Sequence, residues 1–353
     1  MSNNHSLIHR ILFNPTYAGG LDIQDSLLRL AHVQPGTNKL TTIHDHPLPD
    51  GIVENGEIID EREFARNLAD ALRGSGIKNG YYVTHTPVQH TALRLLTFPP
   101  MPAKELKSAV RYEASRSLPY SLADAAISYS PIQERKPKKP KSKKPRRGKK
   151  RQGANGADLT PETAEAQPPA PEPTKEEKKG VRGKQPGAFL VAASPNAHVL
   201  KLMRVAKTAG IRLGVVEPRP LATIRALQHH ELINPSEMIL DIGEHHSNLT
   251  VIINDAVGVA RTLPYGAPEL AGGHQGDVDR FSRDIIATVE YLTRVSDTLH
   301  LQRLVVTGGE LHPNITTGLE GLSLEAHTPP ELEKVNAAAL PAYGFALRGA
   351  RGV

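Results

Sequence analysis

Short apolar runs broken by polar turns fill the first fifty positions. Residues 19–23, 27–33 and 39–48 each read as strands. The period changes at Asp60-Glu-Arg-Glu63, a capping-box-like helix start, after which Phe64, Ala65, Leu68 and Leu72 share one helical face. Strands are expected at 81–85 and 91–98. The proline-rich turn Phe98-Pro-Pro-Met-Pro102 then leads into a helix over 103–118.

Downstream of residue 187 the pattern alternates between the two periods. Residues 187–193 form a short apolar run of the kind that makes a buried strand. Ser194-Pro195 predicts a capped helix to 208, with proline at its first position and Gly210 beyond its end. A strand over 211–216 and a helix over 218–230 follow. Strands are expected at 237–242, 248–253 and 257–263, a long helix at 277–299, and a strand at 304–306 that runs into Thr307-Gly308-Gly309.

Between the halves lies a segment with no periodicity. Residues 135–151 read RKPKKPKSKKPRRGKKR, and 152–186 add Ala, Pro, Glu, Gly and Lys with almost no large apolar side chains. Such a composition buries too little surface to offset its ordering entropy, so 134–186 is expected to be disordered. The flanks 125–132 and 187–193 both look like strands, so the segment reads as an expanded loop between paired strands. Loop length costs little, and a long insertion is tolerable there.

This insert changes the reading of charge. The chain has 353 residues and a net charge of +6. Residues 134–186 hold 17 of its 43 Lys and Arg and 7 of its 37 Asp and Glu, which leaves 26 basic against 30 acidic residues elsewhere. The body is therefore mildly acidic. The insert suits weak contact with anionic membranes; without aromatic residues for base stacking it does not suit specific nucleic-acid binding. Cysteine is absent, which removes thiol chemistry and Cys-ligated zinc. No signal-peptide pattern opens the chain, and no apolar run approaches the roughly 20 residues of a membrane helix. A cytoplasmic location is expected.

Three units carry candidate chemistry. In Ile239-Leu-Asp-Ile-Gly-Glu-His-His-Ser-Asn-Leu-Thr-Val-Ile252 a strand ends at Asp241, turns through Gly243 and returns through Ser247 and Asn248. Such a turn aims backbone N–H groups outward at phosphate oxygens, and Asp241 can hold magnesium through water. The alternative is an ordinary hairpin with a D-x-G turn. A similar unit around Asp22 and Ser26 opens the chain, with Asp22 as the second magnesium candidate. Leu304-Val-Val-Thr-Gly-Gly-Glu310 is the third, its Gly308 and Gly309 letting a nucleoside lie against the backbone.

Taken in order, these units resemble the two phosphate motifs and the adenosine motif of the actin-like ATPase superfamily. The stretches Pro47-Leu-Pro-Asp-Gly-Ile-Val-Glu-Asn-Gly-Glu-Ile-Ile-Asp60, Phe98-Pro-Pro-Met-Pro-Ala-Lys-Glu-Leu106, Arg111-Tyr-Glu-Ala114 and Leu118-Pro-Tyr120 are similar to the PilM family of type IV pilus assembly, relatives of FtsA. The resemblance implies an α/β, two-lobed actin-like (ribonuclease H-like) ATPase fold with a small extra subdomain. It divides the chain into a first lobe, 16–133, containing the subdomain at about 47–120; the insert, 134–186; and 187–353 for the remainder. It also implies a scaffold at the inner face of the cytoplasmic membrane that binds ATP and Mg, is at most a slow ATPase, self-associates, and docks the N-terminal cytoplasmic tail of a PilN-like membrane protein. Residues 50–60 and 98–106 are expected near that groove. A nucleotide-free adaptor and a kinase or ATPase are the alternatives.

The sequence departs from the family at the first phosphate motif. Gln24 and Asp25 stand where glycine and small hydroxyl residues are usual, and the Asp25 carboxylate repels phosphate. Glu244, His245 and His246 occupy the tip of the second. Glu217 reads as a water-positioning group or a solvated helix-start carboxylate, and Asp284 as a ribose contact or a solvated face. His229-His230 is expected to meet helix-end carbonyls. His44 and His46 fall on the strand face opposite Asp45, which argues against a metal cluster there.

Overall fold

The computed structural model describes residues 17–34, 36–76, 80–116, 118–132, 187–295, 301, 303–321, 324–332 and 336–350. The insert expected at 134–186 and the opening residues lie outside this set.

The first lobe is a five-stranded sheet in the order β10 (Arg212–Val216), β6 (Gly80–Thr84), β1 (Tyr17–Ile23), β2 (Leu27–Gln34) and β3 (Lys39–Pro47). β1 pairs antiparallel with β2, placing Asp22 opposite Arg29, and parallel with β6. Leu21, Ile23, Leu28 and Leu30 face a core closed by α1 (Glu61–Ser75) and α3 (Asn196–Thr208), with Phe64 and Leu68 from α1 and Leu202 and Val205 from α3. Asp60 caps α1 by accepting the N–H groups of Arg62 and Glu63 at 2.9 Å, and Gly76 ends it in the left-handed region.

The second lobe is built on β11 (Glu237–Ile242), β12 (Ser247–Ile253), β13 (Ala256–Leu263), β14 (Arg303–Thr307) and β15 (Glu325–His327). β11 is buried throughout, so it reads as a continuous apolar run. Its residues still alternate. Met238, Leu240 and Ile242 meet Phe281 and Ile285 of α6 (Gln275–Val295) and Ile315 of α7 (Pro313–Glu320). Ile239 faces the other way, against α4 (Arg219–His229) and α8 (Leu340–Ala350).

Those two helices form the junction of the lobes. Ala18, Ala31 and Val33 from the first sheet share one core with Ile224, Leu227 and Leu347 of α4 and α8, and with Ile239, Ile252 and Val305 of the second. Residues 340–347 of α8 are buried on every side because both lobes cover them. At Gly20 it passes so close that a Cβ would sit 1.9 Å from the Ala342 carbonyl oxygen.

Three more strands extend the second sheet: β7 (Ala92–Phe98), β9 (Gly187–Pro195) and β8 (Ala125–Pro131), the last on the edge. With α2 (Ala103–Ser115) they enclose a separate core of Phe98, Val110, Ala114 and Val191. Residues 47–120 therefore divide between two cores, since Leu48, Ile52, Val53 and Ile58 pack with the first lobe. β8 and β9 pair antiparallel from Ala125↔Pro195 to Pro131↔Phe189, so 133–186 does connect paired strands.

Several local expectations change. Ser194 does not cap α3. It lies inside β9 with its hydroxyl buried and without a hydrogen-bond partner, and Pro195 occupies the cap position. The long helix begins at Gln275 rather than at 277 and is described as far as Val295, the expected residues 296–299 lying outside the described set, and α2 ends at Ser115.

Candidate functional site

The alternation that sends Ile239 toward α4 does the same for Asp241, and in β1 the parity of Ala18 and Gly20 does so for Asp22. Both carboxylates are buried. They converge on Arg219, the first residue of α4, also buried. Arg219 donates from Nε to Asp22 Oδ1 at 2.9 Å and from Nη2 to Asp22 Oδ2 at 3.3 Å, and its Nη1 bonds Asp241 Oδ2. Thr223, one turn along, donates its hydroxyl to Asp241 Oδ2 at 2.9 Å.

One guanidinium thus serves two carboxylates. For Asp22, burial pushes the pKa up, but the Arg219 charge and the neighbouring His85 outweigh it and hold the carboxyl well below its usual range. For Asp241 burial prevails over Arg219, and the pKa is raised. Burial opposes the Arg219 charge, yet the two carboxylates raise its pKa. His85 completes the group. Its Nδ1–H donates to the Thr86 carbonyl at 3.0 Å, leaving Nε2 to accept the Ile23 N–H at 3.1 Å. Nε2 also lies 3.2 Å from Asp22 Oδ1.

The turns that follow β1 and β11 face each other across the same cleft. Glu244 Oε2 accepts the backbone N–H groups of Asp25 at 3.1 Å and Ser26 at 3.3 Å. A carboxylate of the second turn therefore occupies the amide cradle of the first. Asp25 points away from that cradle. It accepts the N–H groups of Asn55 and Gly56, each at 2.6 Å, in the turn between β4 (Val53–Glu54) and β5 (Glu57–Ile58), and His245 Nε2 lies 3.2 Å from it. Gln24 donates its side-chain amide to Asp22 Oδ2 at 2.9 Å.

The remaining sequence candidates lie around this network. Gly243 donates its N–H to the His246 carbonyl at 3.0 Å; a Cβ there would meet that oxygen at 2.6 Å. Ser247 is buried and donates to the Tyr265 carbonyl at 2.6 Å, away from the cleft. Asn248 borders the cleft beside Arg219 and accepts from Thr262 at 3.4 Å. Ser26 is exposed. Gly308, at φ 85°, and Gly309 pack on Ile242; a Cβ on Gly308 would sit 2.2 Å from the Ile242 carbonyl oxygen.

The space left is small. The cavity bounded by Asp25, Gly56, Arg219, Glu244 and Asn248 holds about 50 Å³, room for very few waters. A hollow of about 360 Å³ opens beside it, past Val88, Arg94, Arg219 and Thr262.

Four groups singled out in the sequence have other roles. Glu217 is neither solvated nor directed at the cleft: it is buried and takes a two-pronged bond from Arg225, at 2.6 and 3.0 Å. Asp284 accepts from Arg261 at 3.4 Å and from the Tyr265 hydroxyl at 3.2 Å. His229 and His230 pack their rings on Tyr343. Asp45 pairs with Arg29, and His46 bonds Asn67.

The sequence reading missed Arg219. An arginine at the first position of a helix works against the helix dipole, which was the available signal that carboxylates attend it.

This arrangement of lobes is shared with known structures. Over 94% of this chain and 98% of the other, the fold matches the structure of the "PilM-PilN type IV pilus biogenesis complex", with a TM-score of 0.68 and 19% identity. The chain has a two-lobed, PilM-like actin fold. At lower similarity it resembles the ethanolamine utilization protein EutJ from Carboxydothermus hydrogenoformans (TM-score 0.48, 11% identity, covering 94% and 90%). A Bacteroides thetaiotaomicron protein with an actin-like ATPase fold is comparable (0.47, 7%, 98% and 98%). No family profile and no curated protein matches by sequence. Among the described residues no helix of this PilM-like fold is long and apolar enough to cross a membrane.

Proposed function

We propose that the chain is an actin-like scaffold of type IV pilus or related assembly, with a cleft held shut by its own side chains rather than by nucleotide. The observation that carries this reading is Arg219 bridging Asp22 and Asp241. Its cation lies between the two carboxylates that would otherwise be free to hold magnesium, and Glu244 fills the amide cradle of the first turn. Fold-level likeness to PilM supports the assembly role.

The partner on this reading is the N-terminal cytoplasmic tail of a PilN-like membrane protein, which would hold the scaffold at the inner face of the membrane. A groove of about 330 Å³ fits an extended tail. It runs between the edge strand β8 and α3, with Ile127, Val199, Met203, Leu213 and Val215 along it. An edge strand offers free ladder positions, and Met203, 56% exposed, offers an adaptable apolar anchor. The basic insert would add weak contact with anionic lipid, and self-association remains part of the scaffold reading.

A second reading keeps ATP and Mg as conformational ligands held by Asp22, Ser26, Asp241, Gly243, Ser247, Asn248, Gly308 and Gly309. The 360 Å³ hollow beside Arg219 favours it, because a nucleotide could enter there and displace the guanidinium. Calorimetry with ATP and Mg on the wild type and Asp241→Ala separates the two. Binding lost in the variant supports the liganded scaffold; no binding to the wild type supports the closed one. Titration with the tail peptide of the adjacent membrane protein tests the partner, and Met203→Glu should abolish binding. A tail that binds the variant as well as the wild type rules out this groove.

A further inference from the structure

Glu57, His90 and His198 come from three segments that are remote in sequence: β5, the 3-10 turn Val88–His90, and α3. One donor atom from each lies within 4.8 Å of the other two, and all three residues are half-buried. The His90 and His198 rings stack nearly parallel, with centroids 5.1 Å apart and planes at 13°. His198 Nδ1 is 3.8 Å from Glu57 Oε1.

We propose that Glu57, His90 and His198 form a divalent transition-metal site of the zinc class. Two imidazole nitrogens and one carboxylate oxygen, with no thiolate, suit Zn²⁺, Co²⁺ or Ni²⁺ and do not suit Ca²⁺ or Mg²⁺. Metal–ligand bonds of about 2.0–2.2 Å place tetrahedral donors roughly 3.4 Å apart. The three atoms must close by about 1 Å, which side-chain rotation supplies. Three protein ligands leave a fourth position for water.

Lys201 sets the strength of the site. Its Nζ donates to Glu57 Oε1 at 3.2 Å and to the Ile58 carbonyl at 2.6 Å. A carboxylate has a second oxygen, so the ammonium does not exhaust it, but a like charge beside the metal weakens binding. Glu57 directly follows Asn55 and Gly56, whose amides hold Asp25. A metal would pin this turn to α3 and to the 88–90 turn, and so steady the clasp on the first phosphate motif. The site requires neither nucleotide nor a pilus role.

The test uses the full chain, stripped with chelator and titrated with Zn²⁺ by calorimetry and with Co²⁺ by visible absorption. We expect one equivalent with a tetrahedral Co²⁺ spectrum and a higher Tm with Zn²⁺. That equivalent should vanish in His90→Ala/His198→Ala and survive in His229→Ala/His230→Ala. Glu57→Gln should weaken it at least about tenfold. Lys201→Met should tighten it roughly three- to tenfold, a gain that a misfolded variant cannot mimic. Unchanged stoichiometry and affinity in the double histidine variant overturn the site, as does a Lys201→Met variant that binds no tighter than the wild type.

Discussion

Glu244 reaches across the cleft to accept the backbone N–H of Asp25 at 3.1 Å. The contact joins the tips of the turns that follow β1 and β11, and through Ser26 it uses a second amide of the same loop. A carboxylate held by consecutive amides is the chain's own substitute for an anion. Glu244→Ala should lower unfolding free energy by about 1 kcal/mol, the scale of a partly exposed charge-assisted pair. It should also let inorganic phosphate raise the Tm more than it does in the wild type. Urea melts check the first, and thermal melts with and without phosphate check the second.

Arg219→Met leaves Asp22 and Asp241 buried without their shared counter-charge. A loss of about 3–5 kcal/mol is expected. Mg²⁺ should recover part of it in the variant and little in the wild type, because the vacated position is flanked by both carboxylates. Thermal melts across a Mg²⁺ series distinguish this from simple loss of packing, which the ion cannot repair.

His32 provides the pH dependence. Burial, with a smaller contribution from His44, lowers its pKa from 6.5 to about 4. It is fully buried in β2, with Nε2 3.0 Å from the Tyr82 hydroxyl. The folded chain keeps it neutral above about pH 4, whereas an unfolded histidine takes up a proton below about 6.5. The stability it contributes is complete above that upper value and falls as pH drops toward 4, by about 3 kcal/mol in all. His32→Gln should flatten this acid limb in denaturant melts at pH 7.5 and 5.

Gly20→Ala should cost at least about 2 kcal/mol, since its Cβ would lie 1.9 Å from the Ala342 carbonyl oxygen and α8 would have to move off the sheet. Gly36→Ala offers a control: nothing lies within 4 Å of its Cβ, and only its φ of 89° is strained. The comparison separates overpacking from backbone strain.

Removing residues 134–186 and joining β8 to β9 by a short turn should leave the Tm within about 2 °C of the wild type. The flanking residues Pro131 and Phe189 are already paired, and Ile132 donates its N–H to the Ala188 carbonyl at 2.8 Å. A collapsed melting transition would show that the segment stabilises the fold.

Local pattern made much of this architecture legible. The N-cap of α1, the strands around Asp22 and Asp241, and the pairing of the strands that flank the insert each follow from neighbouring residues. What stayed hidden depends on distance along the chain. Arg219 meets Asp241 from 22 residues away and Asp22 from 197, and no window of sequence contains all three. Asp25 was read as a group that repels phosphate; the fold turns it away from the loop into the Asn55 and Gly56 amides. Glu217 carries no mark of its pairing with Arg225 until α4 places them together.

The fit of α8 against Gly20 also bears on synthesis. β1 and β2 emerge from the ribosome long before residues 340–350, yet those late residues cover the inner face of their sheet and the adjoining face of α4. The lobe junction cannot close before α8 has been made, and its apolar surface stays open to misassociation until then. A stop codon a few residues before α8 would yield a product in which α4 alone is left to join the two sheets.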